Sequence, residues 1–168
     1  QTATAEILRV INASPSDVGP VFKAIASSGV RLLNCDVAVV IRCHGEHFSP
    51  VAAETLTGTL DNMGPLVVPL DGEHNFPSRA MLSKAAYHLP DWDQVEVPEH
   101  ARGMQKVFGI RASLIVPMLL GEECIGCLAF HRSTSGAFAE SQIALASAFC
   151  EQAVIAIESV RLFRELQE

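Results

Sequence analysis

The chain has 168 residues, of which 49% are hydrophobic and 18% charged, with a net charge of −7. This is enough for one domain with a real core, and the balance argues against disorder. The acidic charge gives no footprint for nucleic acid or an anionic membrane surface, no apolar run approaches the roughly 20 residues of a membrane span, and no signal-peptide pattern opens the chain, so a cytoplasmic setting is expected.

In chain order, residues 2–13 carry Ile7, Leu8 and Ile11 at helical spacing, which predicts an N-terminal helix within residues 1–15. Ser14, Pro15, Ser16 and Asp17 break it, and Ser16 or Asp17 can cap a second helix over 17–33. Val21, Phe22, Ile25, Ala26, Val30 and Leu33 form its apolar stripe, and Pro20 sits in the first turn, where a missing N–H costs little. Residues 36–43 read as a strand, His44-Gly45-Glu46 as a turn and 47–53 as the returning strand. Residues 56–70 read as a loop with Gly58, Gly64 and Pro65 and some strand at 66–68. A short helix over 78–84 with Ser78 as its cap, a strand over 86–89 ended by Pro90, and a helix over 98–108 stopped by Gly109 follow. Ala101, Met104 and Phe108 mark the buried face of that last helix.

The most apolar stretch comes next. Residues 110–120 and 124–131 are two nearly unbroken apolar runs joined by Gly121-Glu122-Glu123, a hairpin signal with both faces covered. Strand alternation puts Arg111, Ser113 and Ile115 on one face. It also puts Cys127 with His131 and turns Cys124 to the opposite side, toward the terminal helices. A long helix from about Glu140 to Gln167 closes the chain, and its apolar seam continues through Phe163 and Leu166, past what one domain can cover. The order α-α-β-β-loop-α-β-α-β-β-α predicts an α+β domain, an antiparallel sheet with helices on its faces. The chain begins without Met and its end reads as an interrupted helix, which suggests a piece of a larger protein.

The stretches DVAVVIR, FPSRAMLSKAAYHLPD, FGIRASLIVPMLLGEECIGCLAFHR and FAESQIALASAFCEQAVIAIESVRLFRELQE together resemble the GAF family of small-molecule sensor domains over nearly the whole chain. The resemblance implies a central sheet of five to six strands, terminal helices on one face, and a ligand pocket under short helices and loops on the other. Phe108 to Leu114 is similar to the phytochrome branch, whose Cys-His pair holds a linear tetrapyrrole; those positions are here His100 and Ala101, and the Asp-Ile-Pro motif is missing near Phe76 and Pro77. A covalent bilin is therefore not expected, and the cofactor is left open. Ser113 and His131 carry over as pocket positions. The Asn-Lys…Phe…Asp-Glu signature of cyclic-nucleotide-binding domains is absent, and residues 54–109 hold no Cys, unlike the free-methionine-sulfoxide reductases of this family.

The five cysteines, Cys35, Cys43, Cys124, Cys127 and Cys150, lie mostly in apolar runs and read as small hydrophobes in a reducing compartment. On opposite strand faces, Cys124 and Cys127 make a poor metal or dithiol pair, leaving Cys127 as core, pocket-lining or redox-sensing thiol. Cys43-His44-Gly45-Glu46-His47 offers metal-ligand types, but at a polar turn. Arg111 and Arg79 reach solvent, a neighbouring carboxylate or a ligand anion. The candidate ligand-binding set is Ser113, His131, Cys127, Ile115, Met104, Phe108, His100 and Arg79, with no catalytic or metal site. No Gly-x-Ser-x-Gly, Walker loop or HExxH is present.

These readings converge on a non-catalytic sensor from a bacterial signalling protein, feeding an output module such as a histidine kinase or a nucleotide cyclase. It would bind an unknown small molecule, dimerise through its N- and C-terminal helices, and touch neither nucleic acid nor membrane. A ligand-free dimerisation spacer is the alternative.

Overall fold

The computed structural model describes residues 5, 9–10, 17–61 and 66–167. Residues 5, 9 and 10 are helical, and the rest of the helix expected over 2–13 lies outside the described residues. Helix α1 (Val18–Leu32) starts at Asp17, whose carboxylate accepts the Gly19 N–H at 3.0 Å. That settles the choice of cap left open by Ser16 and Asp17.

Strands β1 (Val37–His44) and β2 (His47–Thr55) form the first hairpin, turning at Gly45 with φ 64°. Two-residue strands β3 (Gly58–Thr59) and β4 (Val68–Pro69) both pair with β2. Helix α2 (Phe76–Ser83) precedes strand β5 (Tyr87–Leu89), a 3₁₀ turn (Trp92–Gln94) and helix α3 (Glu99–Phe108). The central hairpin β6 (Ala112–Leu120) and β7 (Glu123–Arg132) leads to helix α4 (Glu140–Gln167). The strands form one antiparallel sheet in the order β3-β2-β1-β7-β6-β5, with β4 beside β2. This is the α+β architecture expected, with seven strands among the described residues rather than the five or six that the resemblance implies; β4 overlaps the strand expected over 66–68, and β3 is too short to leave a periodic pattern.

One face of the sheet is covered by α1 and α4. Leu114, Val116, Leu128 and Phe130 point to it and pack with Ile25, Phe149, Ala153 and Ile157. Contact is close where Gly29 of α1 crosses: an added Cβ would lie 3.0 Å from the Phe130 ring and 3.3 Å from that of Phe149. Helix α4 is, by length and composition, apolar enough to cross a membrane, contrary to the expectation that no run comes near that length. Its apolar side is instead taken up by the sheet, with Ala146, Phe149, Cys150, Ala153, Ile157 and Val160 buried.

Two sequence expectations are corrected locally. The cap of α2 is Asn75, not Ser78: the Asn75 carboxamide oxygen accepts the Ser78 N–H at 2.9 Å, and Pro77 occupies the first turn. The Ser78 hydroxyl is buried and accepts from the Asp71 N–H at 2.9 Å. The second correction lies in β7. Met118 pairs with Gly126 but Leu119 with Cys124, so Ile125 is an extra residue in a β-bulge. Gly126 has φ 157°, and a Cβ there would sit 2.0 Å from the Ile41 carbonyl oxygen. The bulge reverses the alternation. Ile125 packs on the helix side, while Cys124 joins Cys127 on the other face, away from the terminal helices where it was expected.

Candidate functional site

Opposite α1 and α4, the sheet is only partly covered, and a cavity of about 400 Å³ remains beneath α2, α3 and the 3₁₀ turn. Its floor is sheet: Val37, Val39, Ile41, Ile115 and Ala129 from the three central strands. Its walls are Phe76 and Pro77 from α2, Trp92 from the 3₁₀ turn, and Ala101, Met104 and Phe108 from α3. No charged side chain lines it among the described residues.

The polar anchor is a buried relay. The Trp92 indole N–H donates to Ser113 Oγ at 3.0 Å, and Ser113 Oγ lies 2.7 Å from His131 Nδ1. The buried Ser113 hydroxyl has one proton and two lone pairs, and among the described residues Nδ1 is the one acceptor within its reach, so donating to Nδ1 is what satisfies that proton. The imidazole is thereby held as the tautomer with its proton on Nε2, the nitrogen remote from Ser113. Burial pushes the His131 pKa down to about 4, so the ring is neutral at physiological pH. His131 is 6% exposed and lines the cavity, so its N–H is offered to whatever enters. Trp92 is fixed in turn by the Asp91 cap, by its own N–H to the Arg111 carbonyl at 2.9 Å, and by an edge contact with Phe76 at 4.9 Å between ring centres.

His100 stands on the opposite wall at the start of α3. Its ring stacks on His74 at 5.9 Å, and its pKa is lowered first by burial and then by the charge on His74.

Of the residues singled out from the sequence, His131, Ile115, Met104, Phe108 and His100 are brought together around the cavity. Ser113 stands behind His131, fully buried, and acts on the cavity through the imidazole. Cys127 faces the same side but is sealed among apolar neighbours. Arg79 lies outside the lining. Its guanidinium donates to the Gly72 carbonyl at 2.7 Å and the Tyr87 hydroxyl at 2.8 Å, and stacks over Phe76 at 5.0 Å. It braces α2 rather than facing a ligand. Arg111 pairs with Asp93 at 2.7 Å on the surface. No group of three metal-ligating side chains, the His44–His47 turn included, comes together among the described residues.

Trp92 and Phe76 were not singled out from the sequence. The signal that was there is the recurrence of aromatic residues, Phe76, Tyr87 and Trp92, which meet only after the chain folds.

The GAF domain profile matches residues 17–157. Among solved structures, a methyl-accepting chemotaxis protein segment (residues 122 to 287) superposes with a TM-score of 0.78 at 19% identity, covering 96% of this chain and 98% of that one. The GAF domain of an Acinetobacter phosphoenolpyruvate-protein phosphotransferase gives 0.75 at 14% identity, covering 98% and 96%. The blue-light absorbing form of the Thermosynechococcus elongatus PixJ GAF domain gives 0.73 at 18% identity, covering 96% and 93%. No curated protein matches the sequence.

Proposed function

The chain belongs to the GAF family, and on that premise we propose that it is a non-catalytic sensory domain that binds a small, uncharged, mostly apolar molecule and relays its occupancy through helices. The observation that carries this reading is the cavity itself: about 400 Å³, lined by apolar side chains, with one oriented N–H from His131. A ligand with a single hydrogen-bond acceptor, such as a carbonyl or ring nitrogen, fits that donor. A carboxylate or phosphate finds no cation. The positions that would carry a bilin-attaching Cys-His pair are His100 and Ala101, and no thiol lines the cavity among the described residues, which supports a non-covalent ligand.

The relay is proposed to run through a homodimer. Ile155, Leu162 and Leu166 are spaced by seven and four along α4 and are 66%, 51% and 86% exposed, on a side the sheet does not use. A second copy packing there would bury them in parallel helices, and a change at the cavity would alter that packing. A bacterial two-component histidine kinase in the cytoplasm is the setting proposed for it.

Native mass spectrometry of freshly purified protein tests both halves. A dimer carrying a retained small molecule, lost in His131→Phe, is the expected result. A monomer with no retained mass, and no thermal stabilisation by any member of a small-molecule panel, overturns the sensory reading; a ligand at one hundred times its Kd would add about 2.7 kcal/mol. A dimer that never takes a ligand leaves the spacer alternative standing in its place.

A further inference from the structure

We propose that Cys43 and Cys124 form a reversible dithiol–disulfide switch, closed by hydroperoxides, that staples β1 to β7 at the end of the sheet covered by α2. This is a second input, separate from ligand binding in the cavity.

The bulge at Gly126 creates the pair. Ile41 pairs with Cys127 and Arg42 with Gly126, so Cys43, the next residue of β1, comes opposite the bulge. Without the extra residue, Cys124 would point to the terminal helices. With it, both side chains project from the same face of adjacent antiparallel strands, the Cys43 thiol donating to Met81 Sδ at 3.4 Å and the Cys124 thiol to the Gly126 carbonyl at 3.2 Å. Directly paired residues on such strands have Cα atoms about 4.5–5.5 Å apart; the β1–β7 pairing ends at Arg42 and Gly126, one residue from Cys43 and two from Cys124, and a disulfide spans Cα atoms up to about 6.8 Å apart. Both cysteines are half-buried, whereas Cys35, Cys127 and Cys150 are buried.

The surroundings divide the labour. Helix α2 lays Met81 over the pair, its Sδ 3.4 Å from Cys43 Sγ. Lys84, the left-handed C-cap of α2, donates to the Glu122 carbonyl in the β6–β7 turn and so is tethered near Cys124. The neighbouring Cys43 thiol pulls the Cys124 pKa down, against the effect of burial, and the charge of Lys84 adds to the lowering. Cys43 is pushed up as the partner that keeps the proton, with burial adding to the effect. Burial, the largest cause in each case, pushes Cys35 and Cys150 up to about 12 and raises Cys127. In the switch, Cys124, the thiol whose pKa is lowered, is the attacking cysteine and Cys43 the resolving one.

The chemistry balances with a hydroperoxide as oxidant. The Cys124 thiolate attacks the terminal peroxide oxygen, the O–O bond breaks, and the departing alkoxide or hydroxide takes up a proton, leaving a sulfenic acid. Cys43 sulfur then attacks Cys124 sulfur, the S–OH bond breaks, and water leaves with the Cys43 proton. Two thiols and one hydroperoxide become one disulfide, one alcohol (or water) and one water. A thiol reductant reverses it by exchange. Pulling Cys43 toward β7 shifts the seat of Met81, and with it α2, whose Phe76 and Pro77 wall the cavity.

The test treats the reduced chain at pH 7 with a few equivalents of hydrogen peroxide, then denatures it, alkylates with N-ethylmaleimide and weighs it. The expected result is two alkylations fewer than in the untreated protein, a peptide cross-link joining Cys43 and Cys124, and full recovery after dithiothreitol. In Cys43→Ser the reaction should stop at a Cys124 sulfenic acid trapped by dimedone. In Cys124→Ser, oxidation should slow by at least about tenfold. All five thiols alkylated after peroxide, or a cross-link through Cys127, overturns the proposal, and both readings come from the unaltered chain.

Discussion

Neighbouring residues of β7, Phe130 and His131, point to opposite sides of one sheet and meet opposite fates. On the Phe130 side, two long amphipathic helices each bring an apolar stripe, and they close so tightly that Gly29 has no room for a methyl group. On the His131 side, an eight-residue helix, a ten-residue helix and a 3₁₀ turn cannot tile the same area, and about 400 Å³ stays unfilled. Long helices finish a core, whereas short ones framed by Pro77, Pro90 and Pro98 hold a roof off the floor. The closed face thus supplies stability, which leaves the other face free to be hollow.

The largest expected effect that can break this contrast is a matched pair of truncations. Phe130→Ala should cost about 3–5 kcal/mol in urea unfolding, because no neighbour can collapse into the hole. Phe108→Ala, on the wall of an existing cavity, should cost under about half of that. Equal costs would mean that the two faces are packed alike. Next come additions. Ala153→Leu, on the closed face, should destabilise by up to about 3 kcal/mol through overpacking. Ala129→Leu, whose side chain enters the cavity, should stay within about 1 kcal/mol of the parent while abolishing ligand uptake.

Last comes a pH dependence on the hollow side. His131 has a folded pKa of about 4 against about 6.5 for an unfolded histidine, so between those values the unfolded chain binds the extra proton. Stability is intact above about pH 6.5 and falls as the pH drops toward 4. By pH 5 the loss should be about 2 kcal/mol. Denaturation curves at pH 7 and pH 5 should show it, and His131→Phe should flatten the difference. An equal slope in that variant would sink the assignment of a neutral buried imidazole.

Much of this was legible beforehand. Alternation in the central hairpin put Ser113, Ile115, Cys127 and His131 on one face, and the helical stripe from Val21 to Val30 marked what covers the other. What failed was local. Alternation counts residues, and a bulge adds one, so a lone glycine inside a strand was the warning that Cys124 would turn round. Ser78 resembled a cap because it precedes an apolar run, yet the helix starts three residues earlier, at Asn75, whose side chain accepts the Ser78 N–H. β3 is two residues long, below any period. The Trp92–Ser113–His131 relay joins three segments 18 to 39 residues apart in sequence, and nothing in a linear pattern announces a hydrogen bond over that distance.

That relay also makes the molecule its own optical instrument. Trp92 is the single tryptophan of the chain, it borders the cavity, and His131 approaches its indole edge-on at 6.5 Å. Every photon of indole fluorescence therefore originates at the site. A guest that displaces solvent or draws on the imidazole proton should change the emission maximum and lifetime without any label.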